Sequence, residues 1–508
     1  MSRSSRRFLL NKEPYCSERT NDLKTIWMEG IEMEMFGEYD VVIVGGGTSG
    51  VAAAIASARV GANTLLIERL GALGGQMNVS GPPGFAYAWL FNPRWEQIIG
   101  GIMEETHSRL LKEGYALPHL KPDFRAGYSF SYVDPDWWGL LIFQMMQENG
   151  VHLLLHSLAV DVLKQGNSVR GVIVENTSGR QAAFGKTTID CTGEGDISVM
   201  AGALYEKMPR EQIQPHTLSF TVDGVNWDKV LKYIKENLNE FIFRPHPYLN
   251  WTQEQMLERI KEVKDITELG EQMGWISLRN EAMAKGEWHG QSGVGFFLMP
   301  REGGVIQAHF QHSAHVSNID PTDARELTYG EIEARRQIMI AWKFIKKYMP
   351  GFEKAYITRV CTELRVRETR RIMGDYVLTS DDVVQARKFE DVIGKSSFPK
   401  GGHHVASTAT LTLDENHEYP KDGGSHDIPY KCLVPKIIEN LLVAGKAIST
   451  DRDAYHRFLQ QTMVTGQAAG VAAALCAKMG VTPRELEKDV SKLQEILVKQ
   501  GAILFGTH

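Results

Sequence analysis

The 508-residue sequence predicts an α/β fold: a parallel sheet wound with helices, into which a second, α+β domain is inserted. Three observations carry that expectation. A strand, a glycine loop and a small-residue helix follow one another just after residue 39. The same strand–glycine–helix grammar returns after residue 428. Between them, from about 206 to 350, the chain changes to charged helical stretches bearing tryptophan.

The first observation is the most specific. Val41 to Val44 is a short β-branched apolar run of the kind buried in a parallel sheet. It ends in Gly45-Gly46-Gly47-Thr48-Ser49-Gly50, where Gly45, Gly47 and Gly50 fit G-x-G-x-x-G. A small-residue helix, 51 to 60, and a second strand, 64 to 67, follow, and Glu68 closes the unit. Each glycine has a physical task. Gly45 turns the chain out of the strand, Gly47 lets a pyrophosphate approach the backbone, and Gly50 with Ala54 lets the helix lie on the sheet. The helix N-terminus then offers free N–H groups and partial positive charge to phosphate. Glu68 stands 23 positions after Gly45, where a carboxylate accepts both ribose hydroxyls and repels a 2′-phosphate. The whole pattern occupies residues 39 to 69 and predicts a Rossmann-like dinucleotide-binding unit.

Composition narrows the class. A net charge of −6 and 43% apolar content suit a soluble globular protein, and no basic excess points to nucleic acid. No apolar run reaches the ~18 residues of a membrane span. The five cysteines, Cys16, Cys191, Cys361, Cys432 and Cys476, are scattered and form no C-x-x-C pair. That pattern disfavours a disulfide framework, a zinc site, an iron–sulfur cluster or a redox-active flavin disulfide, so no metal is expected and a cytoplasmic location is the default. Ser5-Arg6-Arg7-Phe8-Leu9-Leu10 has a faint look of a twin-arginine export signal, but a polar stretch follows it where an apolar one is required. Residues 1 to 37 are expected to be an arm packed on the body or on a neighbouring subunit of a homo-oligomer.

Past Glu68, Gly74-Gly75 and Ser80-Gly81 suit a chain passing close under a flat ring, or a flexible loop. Aromatic-rich stretches at 85 to 98 and 128 to 138 read equally as pocket wall or core. A helix is expected over 136 to 149, then two strands joined at Gly166-Asn167. A third strand ends in Thr192-Gly193, placed beside the first glycine loop. The inserted domain should hold helices at 226–242, 252–286 and 322–349 and strands near 294 and 304. Residues 356–374 carry a dense arginine run, read as a helix with Arg365, Arg367, Arg370 and Arg371. That run is either a face tied to acids or a clamp for a substrate carboxylate. A long loop, 394–427, centres on His403-His404. Asn440 to Gly445 is a strand ending in glycine, and Thr465-Gly466 is expected to open a small-residue helix. The tail, 482–500, reads as a polar helix. The expected division is an arm (1–37), a dinucleotide domain in two parts (38–205 and 428–480), an inserted substrate domain (206–350), the arginine helix with an active-site loop (351–427) and a C-terminal helix (481–508).

Three segments together resemble a known group. The N-terminal fingerprint, Ile189-Asp190-Cys191-Thr192-Gly193-Glu194-Gly195-Asp196 and the C-terminal NLLVAGKAIS…TGQAAGVAAA look like the FAD-dependent oxidoreductases of the glutathione-reductase/succinate-dehydrogenase class. More narrowly they resemble the bacterial FAD-dependent oxidoreductase family in which Glu-Thr-Arg-Arg-Ile-x-Gly-x-Tyr, here Glu368 to Tyr376, precedes the final FAD segment. The resemblance covers most of 38–480 and implies FAD as cofactor. It implies that Gly45, Gly47 and Gly50, with Thr48 and Ser49, hold the pyrophosphate, and that Glu68, beside Arg69, holds the adenosine ribose. It implies Gly75, with Gly74 and Gln76, close to the flavin. Thr192 and Gly193, with Asp196, would meet the ADP half, and the backbone near Val160 the adenine. Gly445 would lie at the ribityl chain, with Arg457 on the flavin side. The helix start at Gly466, with Ala468 and Ala469, would face the pyrimidine edge. Two departures are visible: Cys191 stands where the family more often has Ala, and Gly-Gly-His403-His404 where it usually has Asp-x-His.

The expected activity is oxidoreduction, with hydride passing from a C–OH, C–N or C–C bond of a small organic substrate to flavin N5. The candidates for proton removal or substrate clamping are His403, His404, Arg371 and Tyr430, histidine being suited by its near-neutral pKa. The alternatives are an FAD-dependent monooxygenase and an FAD-binding protein with a structural role. No nucleic-acid or membrane partner is expected.

Overall fold

A computed structural model of the protein describes residues 25–28, 31–81, 87–121, 128–241, 248, 251–269, 271–290, 292–401, 417–454 and 456–508. Its main sheet has eight strands. From one edge the order is His152–Leu154, Thr64–Ile67, Ile31–Val44, Gly179–Asp190, Ser168–Asn176 and Leu158–Gln165. The first four of these pair in parallel, with Val41 opposite Thr64 and Val44 opposite Asp190. Strand Gly179–Asp190 divides its other edge. Its first half joins the antiparallel pair 158–165 and 168–176, while its last residues pair in parallel with Leu441–Val443. The two ends of the chain are thereby stitched into one sheet. Val41, Val42, Ile43, Leu65, Leu66 and Ile67 are fully buried, as a strand covered on both faces requires.

Two helices lie against each other over this sheet: Thr48–Arg59, which follows the glycine loop, and Leu459–Met479. Glycine sets their spacing. A Cβ on Gly466 would come 2.1 Å from the Ser49 carbonyl oxygen, and one on Gly470 would come 2.1 Å from that of Ala53. The long helix therefore starts at Leu459, before the expected Thr465-Gly466, and the small residues serve helix-to-helix approach.

The second core is aromatic. A five-stranded antiparallel sheet runs in the order Gln272–Gly274, Val294–Pro300, Ile306–Phe310, Phe220–Asp223, Tyr356–Val360. Phe220, Phe296, Phe310, Phe344 and Phe352 fill it, under the helix Ala324–Tyr348. The expected 252–286 helix is two helices, Gln253–Glu262 and Ile276–Ala284, parted by the strand Gln272–Gly274. The arginine run is not helical. Tyr356–Val360 and Arg370–Ile372 are strands, the first an edge strand rich in β-branched and aromatic residues that suit a pleated surface. This sheet thus recruits a strand beyond residue 350. The aromatic stretches are core: Trp89, Phe130 and Tyr132 belong to this cluster, while Tyr87 and Trp138 belong to the main one, joined by a Trp138 Nε1 donation to the Tyr87 hydroxyl at 2.8 Å.

At the N-terminus, Ile31–Val44 is one continuous strand, so the expected boundary at residue 37 falls inside the sheet. The tail also belongs to the main body. Leu493, Leu497 and Leu504 are buried in its core, and the Gly101 N–H donates to the Gly501 carbonyl. The tail's helix is interrupted, as Pro483–Leu486 and Ser491–Lys499. Cys191, Cys361, Cys432 and Cys476 are buried and free. Among the described residues no helix is long and apolar enough to cross a membrane.

Candidate active site

A cavity of about 730 Å³ opens at the C-terminal ends of the parallel strands and reaches the second domain. Its size falls within the usual range for cofactor sites. The glycine loop forms its floor. Gly45 has a left-handed backbone (φ 101°), and a Cβ there would lie 2.4 Å from the Cys191 carbonyl oxygen. A Cβ on Gly50 would lie 1.8 Å from the Gly45 oxygen. Gly47 differs: a Cβ there would meet nothing within 4 Å, because it would project into open space. Two glycines hold the turn and one clears the approach, which is the division of labour a bound pyrophosphate requires. Gly47 caps the Thr48–Arg59 helix without a side-chain hydrogen bond, and the first turn carries no acid. Its leading N–H groups are suited to an anion.

Glu68 stands at the cavity wall. The Gly46 N–H donates to its Oε2 at 2.6 Å and the Leu70 N–H to its Oε1 at 2.9 Å, so the carboxylate is pinned at the strand end. Ser157 to Val160 form the adjacent wall, with Thr192, Gly193 and Asp196. That second turn is organised by buried Asp190. It accepts hydrogen bonds from the Thr192 and Ser198 hydroxyls, both at 2.7 Å, and from their N–H groups. Burial, reinforced by the charges of Asp190 and Glu194, holds the Asp196 carboxyl above the usual carboxylate range, despite its ion pair with Arg370 at 2.7 Å. Burial likewise pushes the Cys191 thiol up, so this cysteine is a small neutral filler under the loop.

The far end is built from both domains. Gly445, Lys446, Arg457, Leu459 and Thr462 come from the C-terminal segment. Lys446 Nζ donates to Glu194 Oε1 at 2.6 Å and to the Val366 carbonyl at 3.0 Å, tying the two domains. The Thr462 and Thr48 hydroxyls share a 2.7 Å hydrogen bond across the two packed helices. Leu327, Glu331, Glu363, Leu364 and Val366 close the opposite side.

Of the sequence-predicted residues, the structure brings together Gly45, Gly47, Thr48, Ser49, Glu68, Arg69, Gly75, Gln76, Val160, Thr192, Gly193, Asp196, Gly445 and Arg457, all on this cavity. Others support it from behind. Gly50 packs under the loop, and Gly74 donates its N–H to the Gly46 carbonyl at 2.8 Å, with no room for a Cβ beside Trp138. Gly466, Ala468 and Ala469 are buried within the long helix, more than a turn past its start, so Leu459 and Thr462 line the cavity in their place. Two proposed catalytic groups lie elsewhere. Arg371 is buried with Glu368, its Nη1 at 3.1 Å from Oε1, and Tyr430 is buried with its hydroxyl donating to the Pro483 carbonyl at 3.1 Å. His403 and His404 lie outside the described residues. The sequence reading missed Lys446, Glu194, Glu363, Val366 and Thr462 as wall residues. Glu194 and Lys446 each adjoin an assigned glycine, a signal that was there to use; the others come together only through domain docking.

Residues 40–497 match the model of the family described as FAD dependent oxidoreductase. The chain belongs to this family. The protein is therefore an FAD-dependent oxidoreductase, an enzyme with FAD as its cofactor, and the glycine-loop geometry fits that dinucleotide. No curated protein matches the chain. Among solved structures it is similar to a geranylgeranyl bacteriochlorophyll reductase-like protein from Thermoplasma acidophilum, at 13% identity and TM-score 0.44, covering 92% of this chain and 88% of that one. It is also similar to p-nitrophenol 4-monooxygenase from Pseudomonas putida DLL-E4, at 10% identity and TM-score 0.41, covering 92% and 87%. A third is a flavin-dependent brominase, at 14% identity and TM-score 0.40, covering 90% and 84%.

Proposed function

We propose that this FAD-dependent oxidoreductase oxidises a small organic substrate at a C–OH, C–N or C–C bond, with hydride leaving for the flavin and a proton leaving for a protein base. One observation carries the reading: the dinucleotide cavity does not stop at the sheet but continues to a wall supplied by the second domain, at Leu327, Glu331, Leu364 and Val366. FAD, when bound, supplies a two-electron acceptor at N5.

The chain's own residues have separable tasks. The Gly45–Gly50 loop and the helix behind it bind the diphosphate, and Glu68 orients the ribose. The Lys446 ties to Glu194 and Val366 keep the second domain seated over the cavity, which excludes water from the reacting end. Proton acceptance is assigned to His403 or His404, on their place in a glycine-flanked segment ahead of the last strand of the FAD domain. Arg371 and Tyr430 are left with structural tasks by their buried partners.

The test is anaerobic mixing of the purified yellow protein with pools of alcohols, amines and heterocycles. Bleaching near 450 nm by one pool is the expected result (the wavelength is roughly that of any oxidised flavin). Consumption of NAD(P)H coupled to oxygen insertion, with no anaerobic bleaching by substrate, would instead support a monooxygenase.

A further inference from the structure

The arginine run divides into two kinds of residue. Arg370 pairs with Asp196 and Arg371 with Glu368. Arg365 and Arg367, which are 3% and 2% exposed, have no carboxylate within ion-pair distance among the described residues. Arg365 Nη1 donates to Gln311 Oε1 at 2.9 Å, but its Nε has no partner, and neither do Nε and Nη2 of Arg367. A buried guanidinium left without a counter-charge costs several kcal/mol. An isolated pair of them asks for an anion that the described chain does not supply.

The backbone shows that the arrangement is built. His315 pairs with Thr217 in one antiparallel bridge, and Thr217 pairs with Arg365 in the next. Residues directly opposite across antiparallel strands share a face, as do residues two apart on one strand. His315, Thr217 and Arg365 therefore lie on one face of a narrow ribbon, with Arg367 two residues beyond the bridge. All four are at most 3% exposed, and the Thr217 hydroxyl and both His315 ring nitrogens are also without hydrogen-bond partners. The intervening residues Leu364 and Val366 line the FAD cavity. One strand thus separates this face from the cofactor site. Arg457, which lines the cavity, stands near enough that its charge, after burial itself and the charge of Arg365, helps pull Arg367 far below the ordinary guanidinium range. Burial pushes Arg365 down to about 9 and holds His315 neutral.

We infer that the ribbon face formed by Thr217, His315, Arg365 and Arg367 is an anion site one strand behind the FAD cavity, and that its ligand is a carboxylate. Two planar guanidinium forks suit the two coplanar oxygens of a carboxylate. The Thr217 hydroxyl and the His315 ring add neutral donors.

The experiment titrates oxidised holoenzyme with acetate, benzoate and succinate, and separately with inorganic phosphate, following the flavin absorbance. No turnover is needed, so the result stands even if no alcohol, amine or heterocycle reduces the flavin. The expected result is a saturable spectral change with at least one carboxylate. Its affinity should fall roughly a hundredfold in Arg367→Met and in Arg365→Met, with FAD content unchanged, and roughly tenfold in Thr217→Val, which keeps every charge. Arg367→Lys, the gentler variant, should weaken binding less than Met while still holding FAD. Four results would overturn the inference: no saturation by any carboxylate, equal affinity in wild type and Thr217→Val, response to phosphate alone, or loss of FAD from soluble Arg367→Lys. The last would reassign the arginines to the flavin.

Discussion

The glycine-loop end of the cavity and the ribbon face behind its opposite wall meet charge in opposite ways. At the glycine-loop end nearly every polar group is satisfied before any ligand arrives. Glu68 accepts two backbone N–H groups, and Asp190 accepts four hydrogen bonds. On the ribbon face two guanidiniums, a hydroxyl and an imidazole are buried with unused donors. A site made from backbone and short local hydrogen bonds is preorganised and tolerant of being empty. A site made from uncompensated charge is a stored cost that its ligand relieves.

The largest effect expected concerns the proton acceptor, which belongs to neither region as described. His403→Ala or His404→Ala should retain FAD, while the rate of flavin reduction falls by roughly 10²–10⁴ and the pH profile loses its rising limb near neutrality. Stopped-flow reduction of both variants at the wild-type rate would remove these histidines from the reaction.

Next in size is a contrast within the loop itself. Gly50→Ala places a methyl 1.8 Å from the Gly45 oxygen. It should destabilise the fold by about 3 kcal/mol and shed FAD, because loop and helix must part. Gly47→Ala meets open space in the chain, so its unfolding midpoint should stay close to wild type while FAD affinity drops. Equal thermal stability in both variants would contradict the division of tasks among the glycines. Calorimetry together with flavin content reads both.

Glu68→Ala should weaken FAD binding by about 2–3 kcal/mol, the scale of a charge-assisted hydrogen-bond pair. An unchanged dissociation constant would leave Glu68 a purely structural acceptor for Gly46 and Leu70. The smallest effect is a control. Tyr430→Phe removes one neutral hydrogen bond to Pro483, so it should lower stability by about 1 kcal/mol and leave the reduction rate alone. A rate loss without a stability loss would return Tyr430 to the catalytic candidates.

Much of the FAD domain was legible because its signals are local. A strand, a turn with left-handed glycines and a helix start lie within a few residues of one another, so spacing alone constrains their geometry. Even there, local reading misplaced a boundary. The Thr465-Gly466 segment looked like a helix start because it follows a strand ending in glycine and opens a run of small residues. Its small residues exist instead because Ser49 and Ala53 of another helix press against them, and that neighbour lies more than 400 positions away. The same limit explains the arginine run. Its charge density suggested one helical face, yet its residues are edge strand and ribbon, paired with segments far off in the sequence.

By itself the sequence determined the dinucleotide unit, which rests on short-range patterns of glycine and apolar period, while FAD entered through the resemblance of three segments to a known family. Only the tertiary structure decided which arginines have partners. Arg370 and Arg371 find acids, and among the described residues Arg365 and Arg367 do not, Arg365 having only the neutral Gln311. Four arginines within seven residues look alike along a chain. They are told apart by what the rest of the molecule places beside each: Asp196 at Arg370 and Glu368 at Arg371.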